Sequence, residues 1–202
     1  MRTATVLALT AALAAAGCDS HLEARVGDAL LPQALGVVPA AAGPTVVVMP
    51  GQPTPAFAPG PVRVAIDHAV PWREVEPLLA ALDAAGAHPA FLVGQRQYVH
   101  AFPLSDELAD AYTLRLRARA TGTFCLSPPG TREAYCVEGG TRMHISSMYV
   151  REAVQKAVAE YRIRQAWVIP EPDTRWADVV RTIDGARTCC PDGFRVAVAR
   201  AR

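Results

Sequence analysis

Four cysteines, Cys125, Cys136, Cys189 and Cys190, carry the sharpest chemistry available to the body of this chain. An even set of thiols in an oxidising compartment forms disulfides. Cys125 and Cys136 flank the turn-forming run Ser-Pro-Pro-Gly at 127–130, so they face each other across a predicted hairpin. A bond between them closes a small loop and contributes about 2–3 kcal/mol on the chain-entropy account. The alternative ties each hairpin cysteine to one of the adjacent pair and satisfies all four. A direct bond between Cys189 and Cys190 is not expected, because consecutive Cα atoms lie about 3.8 Å apart, closer than the usual disulfide spacing. The pair also lacks the CxxC spacing of a redox or zinc site. The residues therefore call for no metal and no cofactor.

The remaining polar candidates are weaker. Asp67 and His68 end an apolar run, the position at which ligands sit in open α/β sheets, although a turn or helix cap is the commoner fate of such an Asp. His144 stands near Ser146 and Ser147, but no Gly-x-Ser-x-Gly turn is present to strain a nucleophile into place, and the serines suit a helix start. Arg115, Arg117 and Arg119 alternate with apolar residues and form a cationic row, suited either to anionic lipid or wall polymer or to a solvated, edge-protecting face. No constellation amounts to a catalytic site, and the chain is read as a non-enzyme.

The elements that must position these residues follow from periodicity. Residues 62–66 alternate as a strand, Val75, Leu78, Leu79 and Leu82 then share one helical face, Gly86 ends that helix, and 89–93 is the next strand. Pro77 requires that the helix start close to it or kink there. Near the C-terminus 166–169 reads as a strand, Asp173 or Thr174 as a helix cap, Trp176, Val179, Val180 and Ile183 as a helical face, and 194–199 as a strand. Between these units, 114–120 alternates as a strand paired with 134–138. Val150, Ala153, Val154, Ala157, Val158 and Tyr161 line a further helix. The fold class is α+β: a βαβ unit at 61–103, then ββαβαβ at 104–202. The segments Trp72-Arg-Glu-Val75 and Trp176-Ala-Asp-Val179 point to an internal duplication, in which Trp72 and Trp176 pack against the sheet.

The run from Ala65 through Asp67, Val70, Pro71 and Trp72, followed by Val75, Leu79, Leu82 and Gly86, resembles the periplasmic domain of the ExbD/TolR family, the small partners in proton-driven envelope motors. The second copy is looser, with Glu171 near the Asp position and Trp176 near the aromatic. The resemblance implies a protein-binding role beside an ExbB-like motor subunit. It departs from the family in lacking a transmembrane helix with a proton-binding Asp after leader cleavage, so the chain is not expected to carry protons.

Residues 1–17 run from Arg2 through an apolar stretch to small residues before Cys18, the layout of a signal peptide. Ala15, Ala16 and Gly17 before Cys18 resemble the lipobox of bacterial lipoproteins, which implies acylation of Cys18 and a lipid anchor in the inner or outer membrane, facing the periplasm. Residues 18–60, dense in Pro, Ala and Gly after 38, read as a tether with a weak helix at 22–35 and one short strand at 45–49. The formal net charge of +1 argues against nucleic acid as a partner. The expected partners are an envelope protein, peptidoglycan in second place, and the membrane through the anchor; a thiol- or metal-dependent enzyme is the third reading.

Overall fold

The computed structural model describes residues 24–34, 42–94, 97–100, 104–105, 111–131, 135–138, 144–190 and 194–200. Cys18 and the leader lie outside them. The protein is a mixed α+β fold, with three helices and three sheets among the described residues.

A four-stranded sheet is built from β3 (Thr45–Val48), β4 (Gly60–Ile66), β5 (Ala87–Val93) and β6 (Gln97–His100), in that order. The first three run parallel and β6 is antiparallel to β5. Helix α1 (Trp72–Ala84) crosses between β4 and β5 and buries Trp72, Val75, Leu78, Leu79 and Leu82, the face that its apolar spacing dictates. Gly86, at φ +65°, ends it in the left-handed region that side chains with a Cβ avoid. Pro77 lies within the helix, which starts at Trp72, well before the proline.

The second sheet has six strands in the order β10-β9-β8-β11-β12-β7. They are β7 (Leu104–Ser105), β8 (Thr113–Ala118), β9 (Thr123–Ser127), β10 (Tyr135–Glu138), β11 (Gln165–Pro170) and β12 (Arg195–Ala199). β8, β11, β12 and β7 are parallel, and β9 and β10 add an antiparallel meander. Helix α2 (Ser147–Tyr161) and helix α3 (Trp176–Thr188) supply the crossovers. One buried cluster runs through both large sheets and all three helices.

Four expectations are corrected here. The strand at 113–118 does not pair with 135–138; β9 lies between them, and the hairpin that faces Cys125 to Cys136 is β9–β10. Its sequence, Thr-Phe-Cys-Leu-Ser, adjoins Ser-Pro-Pro-Gly and is short enough to read as part of a turn. The weak helix expected at 22–35 is a small hairpin, β1 (Arg25–Val26) and β2 (Ala29–Leu30). The short strand expected at 45–49 is β3, but the 18–60 segment is not wholly a tether, since β3 docks on β4 and Leu31 packs on Ala65 and Leu92, on the face of the four-stranded sheet opposite α1. Gly43 permits this: at φ +102°, a Cβ there would run into the backbone of Pro61. Finally, α3 is capped neither by Asp173 nor by Thr174; Arg175 is the N-cap residue, with no side-chain cap bond.

Candidate functional site

The two helices that begin with tryptophan are locked to each other by their preceding loops. The N–H of Trp72 donates to the carbonyl of Thr174 at 2.8 Å, and the N–H of Trp176 donates to the carbonyl of Val70 at 2.7 Å. Arg73 donates to Pro172 at 2.9 Å, and Ala177 to His68 at 3.1 Å. One sequence shift, that from Trp72 to Trp176, converts each bond into its mate. Pro71 and Arg175, related by the same shift, form the bridge at the centre. The first N–H groups of an α-helix have no partner within it. Each helix here satisfies two of its own with carbonyls of the other unit's loop, which is why neither needs a side-chain cap.

The acids follow the same relation. Asp67, 6% exposed, accepts the N–H of Leu30 at 2.8 Å and of Ala69 at 2.9 Å, with Nδ1 of His68 3.4 Å away. Its counterpart Glu171 accepts the N–H of Ala120 at 3.3 Å and lies 3.7 Å from Nε of Arg119. Glu74 accepts the N–H of Gly51 at 2.7 Å, and its counterpart Asp178 accepts the N–H of Ile145 at 3.0 Å. These four acids each clasp a neighbouring backbone segment, whereas Asp173 of the second loop pairs with the Arg73 side chain. Asp178, a buried residue that the sequence reading did not single out, carried one signal: it stands two places after Trp176, as Glu74 stands two places after Trp72.

Asp178 is surrounded by positive and titratable groups. Nη1 of Arg181 is 3.5 Å from its Oδ1, and His144 and Arg175 also act on it. Burial nevertheless holds its carboxyl above the usual carboxylate range, against the opposing pull of the Ile145 N–H and these cations. Burial lowers the His144 imidazole from its ordinary value; Asp178 opposes that shift, while Arg181, Arg175 and His68 add to it. Nδ1 of His144 has no hydrogen-bond partner among the described residues, so no pairing with Ser146 or Ser147 forms at that nitrogen. Ser146 occupies the N-cap of α2 without a side-chain cap bond, and Ser147 is buried.

The other expected residues lie apart from this junction. Arg115 and Arg117 are exposed on β8, on the sheet face opposite the main core, in register with Trp167 and Ile169 of β11. Arg119, half-buried, has left that row to meet Glu171. Cys125 and Cys136 sit directly opposite on β9 and β10 and are joined by a disulfide. The double tether to Cys189 and Cys190 is therefore not formed. The sulfurs of Cys189 and Cys190 are themselves bonded, with Cα atoms 3.8 Å apart, contrary to expectation. Cys189 is buried at the end of α3, and its carbonyl accepts from Nε2 of Gln155 on α2 at 3.1 Å.

Among the described residues, no group of three metal-ligating side chains gathers. No helix among them is long and apolar enough to cross a membrane. The chain matches no protein-family model, and neither a curated protein nor a solved structure shows significant similarity to it.

Proposed function

We propose that this chain is a non-catalytic binding component of the bacterial envelope, anchored through lipid on Cys18, whose ExbD/TolR-like body docks on a protein of an envelope transport system. The observation that carries the reading is the reciprocal lock. In open α/β sheets ligands lie beyond the carboxyl ends of the strands. At that place the loop after β4 and the loop after β11 fill each other's space; Asp67 spends both carboxylate oxygens on internal N–H groups, and Glu171 spends one on the Ala120 N–H while its other faces the Arg119 guanidinium. The surfaces left for recognition are sheet edges and the exposed face bearing Arg115 and Arg117. An ExbB-like motor subunit is the partner that the sequence resemblance suggests.

Two experiments test the parts separately. Replacing Cys18 with Ser is expected to abolish fatty-acid labelling and detergent partitioning while leaving the body folded; equal labelling of both proteins contradicts the anchor. Purification of the anchored chain from detergent-solubilised envelope is expected to retain a specific envelope protein, and recovery of none above control contradicts the binding role.

Peptidoglycan is the second reading, favoured by the paired guanidinium groups of Arg115 and Arg117, which suit the carboxylates of a wall polymer. Cosedimentation with purified peptidoglycan, lost in Arg115→Glu/Arg117→Glu, would select it over the protein partner.

A further inference from the structure

The internal equivalence of the two units shows what is missing from one of them. The N–H of Asp67 donates to the carbonyl of Val48, and the N–H of its counterpart Glu171 to the carbonyl of Ala118, both at 2.9 Å. Val48 on β3 therefore corresponds to Ala118 on β8, and Thr45 and Val47 correspond to Arg115 and Arg117. On β8 those two positions face Ser127 and Cys125 of the antiparallel strand β9. On β3, the edge of its sheet, no strand among the described residues occupies the equivalent place.

We infer that β3 is the self-association edge of this protein and that its occupant is β3 of a second copy, running antiparallel. The carbonyl of Pro44 accepts from Arg63 of β4 and that of Val48 from Asp67 just after it, so the alternation along the strand turns the backbone groups of Thr45 and Val47 outward. Thr45 is exposed, and Val47 is 37% exposed. A two-fold axis through Val46 sets Thr45 opposite the second copy's Val47 as a hydrogen-bonded pair on each side, with Val46 against its own copy at the centre. All the facing residues are β-branched, which suits cross-strand packing. Edge strands that must stay single carry charges or proline. From Val38 to Val62 no residue is charged, so like copies meet without repulsion, whereas β8 carries arginine at the corresponding positions. Charge thus favours a like neutral strand over a charged peptide.

The same axis stands perpendicular to the sheet and leaves the 24–34 segments of both copies on one face, which lets two anchors enter one membrane. That last clause alone rests on the anchor proposed above; the edge argument does not.

The test uses the full chain carrying Cys18→Ser, in which the other cysteines are paired. Sedimentation is expected to show a concentration-dependent dimer. Val47→Pro removes one outward N–H and none that bonds to β4, so it should lose the dimer while keeping the parent's far-UV circular dichroism. Thr45→Lys, an exposed substitution that leaves the backbone intact, should weaken the dimer by charge repulsion. Val46→Cys lies on the axis as a non-hydrogen-bonded pair, with Cα atoms about 4.5 Å apart, within disulfide reach. It should cross-link under mild oxidation faster than Thr45→Cys, whose counterpart faces Val47. A chain that stays monomeric at every concentration, a dimer that survives both Val47→Pro and Thr45→Lys, or cross-linking no faster at 46 than at 45 would each overturn the inference. None of these outcomes depends on finding the envelope partner.

Discussion

The loop from Asp67 to Trp72 and the loop from Glu171 to Trp176 make the same backbone bonds with almost no side chain in common. Between their acids and their tryptophans, the first has His, Ala, Val and Pro where the second has Pro, Asp, Thr and Arg. What they share is geometry: each donates two helix-start N–H groups to the other and keeps an acid to clasp a neighbouring segment. They differ in what is clasped. Asp67 is buried and holds the N-terminal hairpin, whereas Glu171 is partly exposed and holds the turn between β8 and β9. The lesson is that a main-chain lock tolerates side-chain change as long as both loops keep their shape, while the acids are free to serve whatever lies beside them.

The largest expected effect tests whether the two halves share one core. Trp72 and Trp176 are 2% and 0% exposed, and Trp176 meets Phe91 of the other sheet edge-on at 5.4 Å between ring centroids. Trp72→Ala and Trp176→Ala should each cost about 3–5 kcal/mol and lower a single, common unfolding transition. Two separated transitions in calorimetry would break the comparison into two independent domains.

The acids should then separate the copies. Asp67→Ala strands the Leu30 and Ala69 N–H groups in a part-buried setting, at about 1–3 kcal/mol for each donor that water does not reach. Glu171→Ala exposes the Ala120 N–H to solvent and should cost about 1 kcal/mol or less. Urea titration of the two variants gives the ranking, and a larger loss at Glu171 would reverse the assignment of the stronger clasp.

Disulfides distinguish the second unit from the first. Cys125→Ser/Cys136→Ser opens the loop across the β9–β10 hairpin and should lose about 2–3 kcal/mol. Cys189→Ser/Cys190→Ser should change stability much less, because a bond between chain neighbours closes almost no loop. Thermal melts of both double variants provide the check.

The smallest effect concerns His144, which has no counterpart in the first unit. Its folded value is lowered, so the unfolded chain binds the proton first. Stability that is fully present above the ordinary histidine value falls as pH drops through it, and the loss levels off below the folded value. Asp178 works with the opposite sign, since its raised value lets the folded state bind its proton first. Melting temperature should therefore decline on acidification from about pH 7 to pH 5, and His144→Gln should flatten that decline. An unchanged slope would remove His144 from the account.

Much of the fold was legible because it rests on local pattern. The strands at 60–66 and 113–118 and all three helices follow from alternation or helical spacing, and Gly86 marks its helix end. The misreadings have non-local causes. The start of α3 looked as though it needed Asp173 or Thr174 as a cap, but its N–H groups are satisfied from Val70 and His68, far away in sequence, and the Thr174 hydroxyl donates to the carbonyl of Ala118 instead. The short strand read at 45–49 is β3, but nothing local showed that it would pair with β4 and draw part of the Pro- and Gly-rich stretch into the sheet. At the junction, Asp67 and His68 were visible as the end of a strand, yet no local feature showed that Asp178 and His144 come together beside them.

Amide hydrogen exchange at Trp72, Arg73, Trp176 and Ala177 tests the reciprocal lock most directly, because those four N–H groups are its bonds. If the two loops close on each other, all four should be strongly protected and should exchange at a common rate, since opening one side removes the acceptors of the other. Slow exchange at Trp72 and Arg73 together with rapid exchange at Trp176 and Ala177, or the converse, would contradict the lock.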